Sequence, residues 1–383
     1  MKNRFYFKIA LILSISAALR FGLFRYLDSQ TTPISVLSIV TTLVLGIYVI
    51  MLIAGIIEET TAVLRERTGL AGGLIQAVGT ALPDMIVGIT AALMSIQALS
   101  TNYALAINYA IIAASATFGS NIYNMGFAAY CIMRQNTANL KHKEIRFFPL
   151  FGGGRVRPMD DHEHRPNLME VNTSIRIIAS LSVLTAMVAV LMVLFGRAQV
   201  PAGFSGELYG LKPLIGLVIL VSAVSLLIHF RKNHSEEVGI GDNPFKKYRT
   251  VAIWFFLVLC AGSIFLTAET MVEAVNHASL LLNIPVVIGG TLAGIIGCLA
   301  EMIVVYKFTI NPTGRIGDAV VGVAMDNIIT IIGASVVSVL GGIFLGGNSL
   351  IIIFVLILTV NMMLVWQISE LKDFYTDSSH FET

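Results

Sequence analysis

Six consecutive residues, Gly79-Thr80-Ala81-Leu82-Pro83-Asp84, bring a hydroxyl, a proline and a carboxylate together inside an apolar run from about 70 to 97. Roughly 20 apolar residues suffice to cross a bilayer. An ionisable side chain at that depth is costly enough that its default reading is functional. Pro83 has no N–H, and its ring crowds the preceding turn, so backbone carbonyls there are loosened. Asp84, Thr80 and those carbonyls offer oxygen at one depth, the ligand type that hard cations such as Ca²⁺ take.

The same construction occurs a second time. The 33–133 and 250–343 segments each begin with a long helix ending in an acidic tail. Each continues with a glycine-rich span carrying one acid, then a span with small residues and an Asn. The first reads GGLIQAVGTALPDMIVGITAAL and then ASATFGSNIYNMGF; the second reads GGTLAGIIGCLAEMIVVYKF and then GDAVVGVAMDNIITIIGA. Pairing TALPDMIV with GCLAEMIV matches Asp84 with Glu301, and GSNIYN pairs with MDNIIT.

The elements that position these acids follow from composition. The chain has 383 residues, 56% hydrophobic and only 13% charged, where soluble domains carry about 25%. Apolar runs give ten candidate spans, at about 5–27, 33–64, 70–97, 101–133, 172–196, 209–230, 250–281, 284–309, 316–343 and 348–369. The expected fold is an all-α polytopic membrane protein of about ten transmembrane helices with inverted-topology repeats. Alternating the spans leaves only Arg20, Arg25, Arg197 and Lys212, of 25 Lys and Arg, on one side. By the positive-inside rule both termini and the 134–171 loop are cytoplasmic, provided the first span is retained. The two acid-bearing spans then run in opposite senses, and inverted repeats with interrupted helices meeting at the midplane mark secondary transporters.

The chain divides into an N-terminal helix or signal peptide (1–32), a first repeat core (33–133), a cytoplasmic loop (134–171), two connecting spans with a basic loop (172–249), a second repeat core (250–343) and a last span with a cytoplasmic tail (344–383). Lys2, Arg4 and Lys8 before an apolar stretch, then Ser16-Ala17-Ala18, give the first segment its signal-peptide character. The 134–171 and 231–249 connections read as solvated basic loops beside lipid headgroups. The Asp160-Asp161-His162-Glu163-His164 cluster in the first has ligand types for a regulatory cation, without a fixed spacing. Glu58, Glu59, Glu269 and Glu273 read as solvated faces of amphipathic tails, or as an access path for the ion. Cys131 and Cys260 read as inert buried thiols; with Cys298 they form neither a disulfide framework nor a zinc pattern.

GTALPD followed by GSNIYN resembles the first α-repeat of the cation/Ca²⁺ exchanger superfamily, whose usual forms are GTSLPE and GSNIFN. The resemblance covers about 33–133 and 250–343. It implies a bundle with a central four-helix cation site, to which each repeat gives one acid and an Asn or Asp from the next helix. On that pattern Asp84 and Glu301 are the acids, Thr80 supplies a hydroxyl, and Asn121 and Thr117, four residues apart on one helix face, complete the first half. In the second half the choice lies between Asp326 and Asn327, with Asp326 ranked ahead for its charge. The hydroxyl positions of the family fall on Ala81, Gly297 and Cys298, and the second proline on Ala300.

The function expected is a secondary active antiporter exchanging Ca²⁺, or a related divalent cation, for Na⁺ by alternating access. H⁺ coupling through the same carboxylates is the alternative, since the hydroxyls that serve Na⁺ are thinned. A cation channel and a non-transporting relative are alternatives of another class. No P-loop, aspartyl-phosphate sequence or HExxH is present, so neither an ATPase nor an enzyme is expected. No cofactor, nucleic acid or protein partner is implied; the expected partners are the transported ions and the bilayer.

Overall fold

The computed structural model describes residues 2–23, 32–68, 72–149, 152–159, 168–200, 206–231, 244–310, 316–340 and 343–376. Among them, α-helices follow the ten apolar runs. They are α1 (Lys2–Ala17), α2 (Thr32–Thr68), α3 (Gly72–Ala98), α4 (Tyr103–Lys141), α5 (Leu168–Phe195), α6 (Pro213–Arg231), α7 (Thr250–Leu281), α8 (Val286–Ile310), α9 (Ile316–Leu340) and α10 (Gly347–Thr376). By length and composition six described helices can cross a membrane, and a bent α8 would make a seventh. The chain is an all-α polytopic membrane protein.

The helices are ordered around α4. Asn102 caps its start, its side chain accepting from the Leu105 N–H at 3.1 Å. Its other end closes on His142 in the left-handed region, at φ 46°. Over the apolar stretch of α4, 83% is buried, against 33% for α10. The outer helices turn apolar residues such as Val183, Val221, Trp254, Met362 and Trp366 outward, as expected where lipid is the solvent.

Two main apolar clusters fill the interior. The larger joins α3, α4, α5, α6, α8, α9 and α10. The smaller joins α1, α2 and the start of α7 through Ile12, Val49, Ile53, Ile57, Phe256 and Ile264. Helix α7 belongs to both, since Ala268, Val272 and Val275 pack into the larger. The N-terminal helix is firmly seated: Ser16 is buried and accepts a hydrogen bond from Thr267 at 3.0 Å. Just beyond it, in a π-helical turn (Ala18–Leu23), Arg20 pairs with Glu269 at 2.6 Å.

Two expectations are corrected here. The 134–171 connection is not simply a solvated loop. Helix α4 continues to Lys141, and an antiparallel hairpin follows, β1 (Ile145–Phe148) with β2 (Gly152–Val156). Phe147 is fully buried against Phe127, Tyr130 and Tyr306; enough apolar surface alternates along β1 to give it one packed face. Nor are Glu269 and Glu273 solvated. Besides the Arg20 pair, Tyr109 of α4 donates to Glu273, whose other oxygen lies 3.1 Å from His277 Nε2. The Asp160–His164 cluster lies outside the described residues.

At the opposite end of the bundle a small sheet, β3 (Arg197–Ala198), β4 (Leu208–Gly210) and β5 (Phe344–Gly346), joins the α5–α6 connection to the α9–α10 connection.

Candidate functional site

Helices α3, α4, α8 and α9 all touch one another, and small residues let them come close. A Cβ added at Gly88 of α3 would stand 2.5 Å from Thr117 Oγ1 of α4. One added at Gly119 would stand 3.1 Å from Thr291 Cα, and one at Gly294 2.5 Å from the Ala116 carbonyl oxygen. At Gly297 the neighbour is the acid itself: an added Cβ would lie 2.7 Å from Asp84 Oδ1 and 3.0 Å from Asp84 Cα. The chain therefore brings α8 onto α3 at the carboxylate.

The four helices enclose three acids, Asp84 at 1% exposure, Glu301 at 3% and Asp326 at 0%. Ser120 Oγ donates to Asp84 Oδ2 at 2.6 Å. Thr330 of α9 donates its hydroxyl to the Asp326 carbonyl at 3.1 Å and lies close enough to Asp84 to act on its carboxylate. Asn124 Nδ2 donates to Asp326 Oδ2 at 3.2 Å. The carboxyl groups of Glu301 and Asp326 face each other within polar reach. Neither oxygen of Glu301 receives a hydrogen bond, and Asp84 Oδ1, Asn121 Oδ1, Asn124 Oδ1 and both polar atoms of the Asn327 amide are also buried without a partner. Buried polar atoms are normally satisfied, so a group of orphaned oxygens in one place calls for an explanation.

Helix geometry accounts for the arrangement. Asp84 follows Pro83, and α3 stays helical through the proline. Glu301 stands where α8 bends by 51° between the segments Val286–Leu299 and Glu301–Ile310. That bend needs no proline: the glycine-rich stretch before it serves, as glycine often does at helix kinks.

The expected site residues divide as follows. Asp84, Glu301, Asp326 and Asn327 all lie in the four-helix core, as does Asn121, 1% exposed. Thr117 faces Gly88, one turn along α3 from Asp84. Thr80 is on α3, with its side chain outside the described residues. The motif reading passed over Ser120, Asn124 and Thr330, neutral side chains that neighbour the acids. The signal was present: aligning GSNIYN with MDNIIT matches Ser120 to Asp326, Asn121 to Asn327 and Asn124 to Thr330. The polar contacts follow that alignment. Within each copy the first member meets its own acid, Ser120 with Asp84 and Asp326 with Glu301. The last member crosses over, Asn124 to Asp326 and Thr330 to Asp84.

Chemically, the cluster is a set of oxygen acceptors short of positive charge. No basic side chain pairs with Asp84 or Glu301 among the described residues. No three His, Cys, Asp or Glu side chains among them converge tightly enough to chelate a metal alone. A cation here would draw on the amide and hydroxyl oxygens as well as the acids, a mixed set suited to a hard ion.

No family model and no curated protein matches the chain. Solved structures do. The sodium–calcium exchanger NCX_Mj, soaked with Na⁺ and Sr²⁺, is 18% identical, with 90% of this chain and 98% of that one covered at a TM-score of 0.50. The H⁺/Ca²⁺ exchanger CAX is 14% identical over 98% and 95% of the two chains, at 0.54. YfkE is 12% identical over 97% of each, at 0.55. This chain is similar to all three across nearly its whole length, and its fold is theirs.

Proposed function

We propose that the chain is a secondary active antiporter that exchanges Ca²⁺, or a related divalent cation, for Na⁺ across a membrane by alternating access. The observation that carries this is the buried cluster of Asp84, Glu301 and Asp326 with its orphaned oxygens. In a low-dielectric core such acids need compensating positive charge. A divalent ion bound among them satisfies that need, and its release on one side obliges another cation to replace it before the site can turn. The exchanger fold supports the same reading. The matched polar contacts of the two copies support a site shared between them; their opposite orientation and the ten spans rest on the charge pattern and the apolar runs.

H⁺ coupling is the second reading, favoured by one observation. At Gly297 there is no room for a hydroxyl, because Asp84 fills the place a side chain would take. A site with fewer neutral oxygens is poorer for Na⁺, while the carboxylates remain able to carry protons.

Reconstituted vesicles test both. With Na⁺ inside and ⁴⁵Ca²⁺ outside, the wild-type protein accumulates the isotope, and Asp84→Asn or Glu301→Gln abolishes accumulation. Uptake driven by internal acid without Na⁺ selects the H⁺-coupled form. Uptake that follows only the Ca²⁺ gradient would mean a channel and overturns antiport; normal uptake in both variants overturns the site.

A further inference from the structure

The β1–β2 hairpin grips two helices that each carry part of the site. On α4 it is held from one face. Tyr130 OH donates to the Phe147 carbonyl at 2.8 Å, Arg134 to the Arg146 carbonyl, and Gln135 to the Arg157 carbonyl just past β2 at 2.8 Å. On α8 it is held at Tyr306, whose OH accepts from the Gly154 N–H at 2.9 Å. It is held again at Ile310, against which Gly154 lies so closely that an added Cβ would stand 2.6 Å from Cγ2. Buried Phe147 fills the space between, edge-on to both Tyr130 and Tyr306.

Tyr306 and Ile310 share a face of the Glu301–Ile310 half of α8, the half beyond the 51° bend. That half has Glu301 at its bent, buried end and the hairpin at the other. This half also packs on the bundle through buried Val305 and Thr309. The hairpin adds the polar grip at the end far from Glu301, where a shift is passed along the rigid helix to its first residue. The grip on α4 refers that setting to the helix carrying Ser120 and Asn124.

We propose that the hairpin is a strap that positions Glu301, with Tyr306 and Gly154 as its positioning residues. The strap fixes the Glu301 half of α8 against α4, and loosening it swings the Glu301 carboxylate away from Asp326. Its consequence for Ca²⁺ rests on the exchange function proposed above; its grip on α8 does not.

The test uses the full chain and two readouts. Gly154→Ala drives a methyl into Ile310, and Tyr306→Phe removes the acceptor of the Gly154 N–H. Both variants speed hydrogen exchange over residues 301–310 and leave 286–299 unchanged. Each raises the half-saturating ⁴⁵Ca²⁺ concentration by about fivefold, the scale of one net hydrogen bond. Gly154→Ala combined with Ile310→Ala regains both wild-type values, which a general loss of stability would not allow. Unchanged exchange over 301–310 in both single variants overturns the strap. Faster exchange with an unchanged half-saturating concentration overturns the positioning role. If the wild-type chain moves no ⁴⁵Ca²⁺, the exchange function fails by itself and the strap stands or falls on the amide data.

Discussion

At the scale of single residues, the four-helix core asks for cations and its neutral neighbours decide how the acids point. Ser120→Ala removes the 2.6 Å bond to Asp84. A hydrogen bond to a charged group is worth about 2 kcal/mol, or roughly thirtyfold in apparent Ca²⁺ affinity, measurable as the ⁴⁵Ca²⁺ concentration for half-maximal uptake. Gly297→Ser should abolish uptake although it restores a hydroxyl, because its Cβ meets Asp84 Oδ1 at 2.7 Å; uptake that survives would show that α3 and α8 can part there. The acids were legible in the sequence because a membrane-depth carboxylate is conspicuous by its cost. Ser120, Asn124 and Thr330 were not. Helix α4 is buried nearly all round, so no apolar stripe says which of Ser120, Asn121 and Asn124 faces the acids, and successive residues point 100° apart. The choice between Asp326 and Asn327 met the same obstacle. Both are fully buried, and comparing Asp326→Asn with Asn327→Ala in the same uptake measurement separates charge from amide.

At the scale of elements, the helices were legible because lipid-length apolar runs leave few alternatives, but the polar ends of α4 and α10, which run on to Lys141 and Thr376, were not. Nor was the hairpin. Its strands have four and five residues, and Gly152-Gly153-Gly154 reads locally as a loop. Only the packing of Phe147 between α4 and α8 makes it a strand pair. One charged contact beside the hairpin is open to titration. Glu144 bonds Arg155 at 3.0 Å and Arg157 at 3.1 Å, which holds its carboxyl below the ordinary 4.5. A carboxylate whose folded value is lowered stabilises above its unfolded value, and that contribution is lost as pH falls through the lowered folded one. Amide exchange over β1 and β2, corrected for its intrinsic pH dependence, should therefore quicken below about pH 4.5 in the wild type. In Glu144→Gln it should already be quick at neutral pH, and equal rates in the two proteins at neutral pH would show that the pair is idle. The effect is small, because the pair is exposed and salt screens it.

At the scale of the whole molecule, charge placement makes a sidedness prediction. Single cysteines at Lys143 and Lys247 should react with an impermeant maleimide from one side of the membrane, and one at Lys212 from the other; labelling of all three from one side would refute opposed repeats. The two apolar clusters have a consequence of a different kind. A protein with one continuous core melts as a unit, whereas α1, α2 and the start of α7 share a core of their own that meets the rest along α7 and where α2 lies on α3. Scanning calorimetry should then show two heat-absorption peaks rather than one. A ligand stabilises only the unit that holds it, so Ca²⁺ should move the peak of the larger cluster upward and leave the other in place. The protein would be, in calorimetric terms, two cooperative blocks, with α7 contributing buried residues to both and Ile86 of α3 packing against both.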